Sequence, residues 1–122
     1  MRILHLLDSC SIIDRYEVID FREWGSGVYY KIFAYLINNT ELHIREYIDE
    51  NERKYSYHWQ NNNGELIIRW DNAPYHDKIN TYPHHKHIKQ KIKASKQIAL
   101  DDIISFIENK IISNLGPVIS KR

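Results

Sequence analysis

Only one cysteine, Cys10, occurs in the 122 residues, which excludes an internal disulfide and a thiolate zinc finger. A lone thiol of this kind is ordinarily a small buried hydrophobe. Glycine and proline are scarce too, at 4 and 3 residues, so collagen-like and low-complexity organisation are excluded. No apolar run approaches the roughly 20 residues that a membrane helix needs, and a soluble protein is expected. The apolar start is interrupted by His5 and ended by Asp8, too short for a signal-peptide core, so a cytoplasmic location is expected. A large net charge is missing as well. The sum is +1, which together with 43% hydrophobic residues excludes intrinsic disorder. A chain of this length is expected to form a single domain over residues 1–122.

The near-zero sum conceals a local excess. Residues 1–75 carry 8 Lys and Arg against 12 Asp and Glu, whereas residues 76–96 carry 6 Lys against one acid. His76, His84, His85 and His87 lie in that second stretch, and mild acidification adds to its positive charge. Such a patch suits a polyanion such as RNA, although a solvated lysine-rich loop has the same composition.

What the chain has in abundance is tyrosine, 9 residues alongside 3 Trp, interleaved with β-branched residues. That is strand chemistry. Strands are expected at residues 11–24 (an edge strand), 28–37, 41–48, 55–60 and 65–71, with residues 3–9 a short helix or a fraying end. In 41–48 the period of two puts Leu42, Ile44 and Ile48 on one face, with Glu46 intruding among them, and His43, Arg45 and Tyr47 on the other. A carboxylate at Glu46 must find a partner or line a cleft. Asn63-Gly64 predicts a two-residue hairpin turn. Its register would set Tyr57 against Trp70 and Trp59 against Ile68 on one face, and His58 against Arg69 and Ser56 against Asp71 on the other. Residues 72–97, interrupted by Pro74, Asn80 and Pro83, read as a basic, histidine-rich loop. Leu100, Ile103, Ile104, Ile107 and Ile111 predict a helix over 100–113, with Asp101 and Asp102 at its start and Asn114-Leu115-Gly116-Pro117 as its stop. The expected fold is therefore α+β, an antiparallel meander of about five strands with a C-terminal helix packed on one face.

Two clusters carry titratable chemistry: Arg69-Trp70-Asp71-Asn72-Ala73-Pro74-Tyr75-His76, and Tyr82-Pro83-His84-His85-Lys86-His87. One reading is metal-free cleavage of RNA, in which a base takes the 2′-hydroxyl proton, an acid protonates the leaving oxygen and cations stabilise charge on the phosphate. His58, His84, His85 and His87 are candidate bases and acids, with Glu46 an alternative base and Asp71 a supporting carboxylate. Arg45, Arg69 and Lys86 are candidates to hold the phosphate, and Tyr75 and Tyr82 to stack unpaired bases. A metal site could be assembled from His85 and His87 with His76 or Asp71, but no familiar ligand spacing is met, so no metal and no cofactor are expected. His58 and Arg69 stand apart because regular strands carry them and hold them rigidly. His5 and His43 lie outside the clusters and are assigned no role.

Four ordered motifs resemble the TumE family of prokaryotic toxins: Leu42-His43-Ile44-Arg45-Glu46-Tyr47, Tyr55-Ser56-Tyr57-His58-Trp59-Gln60, Arg69-Trp70-Asp71-Asn72-Ala73-Pro74 and Pro83-His84-His85-Lys86-His87. The resemblance covers roughly residues 28–107. It implies the toxin of a toxin-antitoxin pair, with a cognate antitoxin, often a helix-turn-helix DNA-binding protein, as partner, and ribonuclease activity as the usual expectation. Tyr75 stands where the family commonly has a histidine after the proline, which shifts attention to His76. The partners expected are thus the antitoxin and RNA, with a homodimer as an option and no membrane. The alternative function is a non-catalytic module that inhibits growth through protein or nucleic-acid contacts.

Overall fold

Large aromatic and β-branched side chains pack well on a pleated, half-covered surface, and residues 13–71 form strands on that basis. The computed structural model describes residues 2–115. Its elements are α1 (Arg2–Asp8), β1 (Ile13–Trp24), β2 (Gly27–Leu36), β3 (Thr40–Ile48), β4 (Arg53–Asn61), β5 (Leu66–Asp71), β6 (His85–Ile88), β7 (Lys91–Ala94) and α2 (Leu100–Leu115). The seven strands form one sheet in chain order, every neighbouring pair antiparallel. This is the expected α+β meander with β1 at an edge.

Two strands exceed the expected five, and both come from the stretch read as loop. β6 and β7 are joined by Lys89 and Gln90, with Lys89 at a φ of 55°. A glycine or asparagine there would have signalled the turn; a lysine does not. β6 also alternates two imidazoles instead of two apolar residues, so its period of two is silent on a hydrophobic scale.

The β4–β5 hairpin has the expected pairs, Ser56 with Asp71, Tyr57 with Trp70, His58 with Arg69 and Trp59 with Ile68. Its turn differs from the Asn63-Gly64 expectation. The Gly64 N–H donates to the Asn61 carbonyl at 2.9 Å and the Asn61 N–H to the Glu65 carbonyl at 2.8 Å, with Gly64 at a φ of 89°. The loop is therefore Asn62-Asn63-Gly64. Taken alone, a three-residue loop would turn the faces of β5 over. A bulge leaves Ile67 unpaired between the Trp59–Ile68 and Gln60–Leu66 pairs and restores the register. Close approach explains a second glycine: a Cβ on Gly27 would stand 2.5 Å from the Ile48 carbonyl oxygen.

One face of the sheet is the core. Ile32, Ala34, Leu42, Ile44, Tyr57, Trp59, Ile68 and Trp70 are buried there with Leu100, Ile103, Ile104, Ile107 and Ile111 of α2 and Ile3 and Leu7 of α1. Phe106 meets the rings of Trp59 and Trp70 edge-on, at centroid separations of 6.4 and 5.6 Å. α2 begins where the Ala99 N–H donates to Asp102 Oδ2 at 3.1 Å, and the two acids of its first turn complement the helix dipole. The helix runs two residues past the expected end; Gly116 and Pro117 lie outside the described residues. No helix among the described residues is long and apolar enough to cross a membrane. Both helices pack on the core side, and the opposite face carries the polar alternates of β3–β5 together with His85 and His87 of β6.

Candidate functional site

On that opposite face the registers add up to transverse rows. Phe33, His43, His58, Arg69 and His87 are successive cross-strand partners from β2 to β6. Beside them Lys31, Arg45, Ser56, Asp71 and His85 form a second row. In the first row Phe33 and His43 stack at 3.8 Å between centroids and His43 lies 5.9 Å from His58. Arg69 Nη1 is 3.3 Å from His58 Nδ1. A guanidinium only donates, so Nδ1 accepts and the proton of the neutral ring sits on Nε2. Burial, then the neighbouring Arg69 charge, pull the His58 pKa below the ordinary imidazole value.

Asp71 is the hub of the second row, 5% exposed and fully engaged. Its Oδ2 accepts from Arg69 Nε at 2.9 Å, and its Oδ1 accepts from the Ala73 N–H at 3.0 Å. His85 Nε2 is 2.9 Å from Oδ1 and His87 Nε2 is 3.5 Å from Oδ2. The Nδ1 of His85 faces the Pro83 carbonyl at 2.8 Å, an acceptor, so Nδ1 carries the proton and the ring is fixed. Burial lowers the pKa of His87, and the Asp71 carboxylate opposes that shift without overcoming it. A hollow of about 590 Å³ opens over this row, lined among others by Arg45, Ser56, Arg69, Asp71 and Tyr75.

Of the candidate residues, His58, Asp71, His85, His87, Arg45 and Arg69 share the open face, and Tyr75, 79% exposed, borders the hollow. Four do not join them. Glu46 lies on the core face at 6% exposure, accepting hydrogen bonds from the Tyr30 and Tyr57 hydroxyls with Arg53 Nη2 at 3.5 Å. Burial and the Glu46 charge raise the pKa of both tyrosines, which keeps them hydrogen-bond donors. The period-two reading places Glu46 among apolar residues, and the partner it requires is this cluster, which holds the alternative base on the core side, away from the open-face histidines. His84 turns to the core side, where its Nδ1 is 2.8 Å from the Tyr55 hydroxyl, and its pKa is lowered by burial and by Arg53. Lys86 pairs with Trp70 and so alternates away from His85 and His87. Tyr82 is 45% exposed on the loop ahead of β6 and does not border the hollow.

Two residues given no place among the catalytic candidates stand in this neighbourhood. His43 is next to His58 in the row; strand alternation had put it on the chemical face, and only the β3–β4 register was wanting. His76 packs its ring edge-on against His85 and His87, at 4.7 and 5.7 Å between centroids. No regular spacing links a loop residue to a strand pair, so only the tertiary fold brings these three together.

The protein is a small meander sheet with one face sealed by two helices and the other crowded with imidazoles and guanidiniums. A family model described as "Toxin TumE" matches residues 3–111. The chain belongs to the TumE family and is the toxin of a toxin-antitoxin pair, with an antitoxin as its partner. No curated protein and no solved structure matches the chain.

Proposed function

We propose that the protein is a metal-independent endoribonuclease acting on single-stranded RNA across the open face of the sheet. What supports the reading is the Arg69 guanidinium standing between two imidazoles, His58 and His87, in one cross-strand row. Adjacent strands are about 4.8 Å apart, so the backbones of the two histidines are separated by roughly 10 Å, room for one phosphodiester above Arg69.

His58, kept neutral by burial and by Arg69, is the base. Its 3.3 Å contact with Arg69 is long, and Arg69 can turn toward a phosphate oxygen and leave Nδ1 open. The 2′-hydroxyl gives up its proton to Nδ1, the 2′-oxygen bonds to phosphorus, and the bond from phosphorus to the 5′-oxygen breaks, leaving a 2′,3′-cyclic phosphate. His87 supplies the proton to the departing 5′-oxygen, and Asp71 stabilises its cationic form. Arg69 and Arg45 hold the non-bridging oxygens, where charge accumulates in the transition state. Exposed Tyr75 offers a stacking surface for an unpaired base. Asp71 and His85 are positioning residues. The former fixes Arg69 and His87, and the latter braces the former.

The test is cleavage of a single-stranded RNA by purified protein in EDTA. The wild type is expected to cut, and His58→Ala to lose about 10²–10⁴-fold in rate with its circular dichroism and unfolding midpoint retained. Undiminished cutting by folded His58→Ala, or no cutting of any RNA by the wild type, overturns the reading.

A further inference from the structure

We propose that His76, His85 and His87 form a binding site for a transition-metal dication of the zinc type, and that filling it arrests cleavage. The second half rests on the role given to His87 above; the site itself does not.

One nitrogen from each ring lies within 4.8 Å of the other two. In a tetrahedral site with metal–nitrogen bonds of about 2.1 Å, neighbouring nitrogens stand roughly 3.4 Å apart, so closure asks for a shift of about an ångström. His76 can supply it. It lies in the irregular stretch between β5 and β6, whereas His85 and His87 are held by the sheet. The three rings meet one another edge-on at 71–74°, a converging arrangement and not a stack.

The surroundings match what a metal-binding imidazole needs. His85 Nδ1–H is tied to the Pro83 carbonyl at 2.8 Å, the backbone bond that typically orients a ligand ring, and Nε2 takes an ion by releasing the proton it shares with Asp71. That Nε2 is 2.9 Å from one oxygen of Asp71, and His87 Nε2 is 3.5 Å from the other, so a carboxylate charge is already aimed where a dication would sit. Imidazole nitrogens select zinc, copper or nickel over magnesium or calcium, which want oxygen. An ion held by His87 occupies the lone pair through which that ring would carry a proton, and the 5′-oxygen loses its donor.

Chelator-stripped protein is titrated with Zn²⁺ by calorimetry and with Co²⁺ by visible absorption. The wild type is expected to bind one equivalent, and His76→Ala to bind at least about tenfold more weakly, since even loss of an outer partner of a ligand costs 10–100-fold. His76→Gln is expected to behave alike. In the RNA assay one equivalent of Zn²⁺ is expected to remove most of the cleavage and EDTA to restore it. Both His76 variants are expected to keep the zinc-free rate and to escape the inhibition. Absence of binding, or binding undiminished in both variants, overturns the site; cleavage that zinc leaves unchanged or accelerates overturns the arrest. Metal binding is read without RNA and cleavage in EDTA without metal, so failure of this proposal and failure of the ribonuclease reading are told apart.

Discussion

His58 is asked to be a base at neutral pH, and its surroundings prepare it for that task before any substrate arrives. Burial is the larger cause and the Arg69 charge the next, and both disfavour the imidazolium. The proton-accepting form is the neutral one, so the limb of kcat/KM set by His58 rises as pH climbs through its pKa, and the limb set by protonated His87, whose pKa burial also lowers, falls. Because that pKa lies below the 6.5 of an ordinary imidazole, the acid limb of the pH–rate profile is expected to bend below pH 6.5. A measured profile whose acid limb bends at or above that value contradicts the assignment. The same residue was legible in the sequence, because a hairpin signal set it opposite Arg69 from strand alternation alone. Glu46 was half legible: its intrusion among Leu42, Ile44 and Ile48 called for a partner, but the tyrosine hydroxyls that answer it come from β2 and β4. One strand's pattern cannot say which neighbours stand across from it.

At the scale of the element, the β4–β5 hairpin decides whether His58 and Arg69 meet. Its loop and its bulge each shift the register by one residue, and the two shifts cancel. Gly64, at a φ of 89°, makes the turn possible, whereas Gly25 has open space around it and no such conformation. Gly64→Ala is therefore expected to lower stability by about 1–2 kcal/mol, and Gly25→Ala to leave it nearly unchanged, as read by denaturant unfolding midpoints. Equal midpoints for the two variants would contradict the account of this turn. The five longer strands and α2 were legible because apolar periodicity marks them. β6 and β7 were not, since imidazole and lysine alternate there and the turn between them rests on a lysine at positive φ. His43 and His76 escaped for a related reason: each gains meaning from a neighbour supplied by pairing or by a loop, and neither has a local signature.

Across the whole molecule, a chain-order meander gives each strand one face for the core and one for chemistry, and both helices seal the same side. Every histidine of the open face thereby sits on, or folds onto, a scaffold braced from behind by Tyr57, Trp59, Trp70 and α2. The basic stretch 76–96 supplies all three rings of the imidazole cluster and the last two strands, so the positive charge lies beside the site and not at the far end of the protein. The central claim is that this face cuts RNA through its own 2′-hydroxyl without metal. The most direct measurement is end-group analysis of fragments produced in EDTA, from an RNA and from the same RNA with one 2′-deoxynucleotide at the cut site. The account predicts 2′,3′-cyclic phosphate ends and no cut at the deoxy position. Fragments ending in a 3′-hydroxyl, or a cut that survives the deoxy substitution, would contradict it.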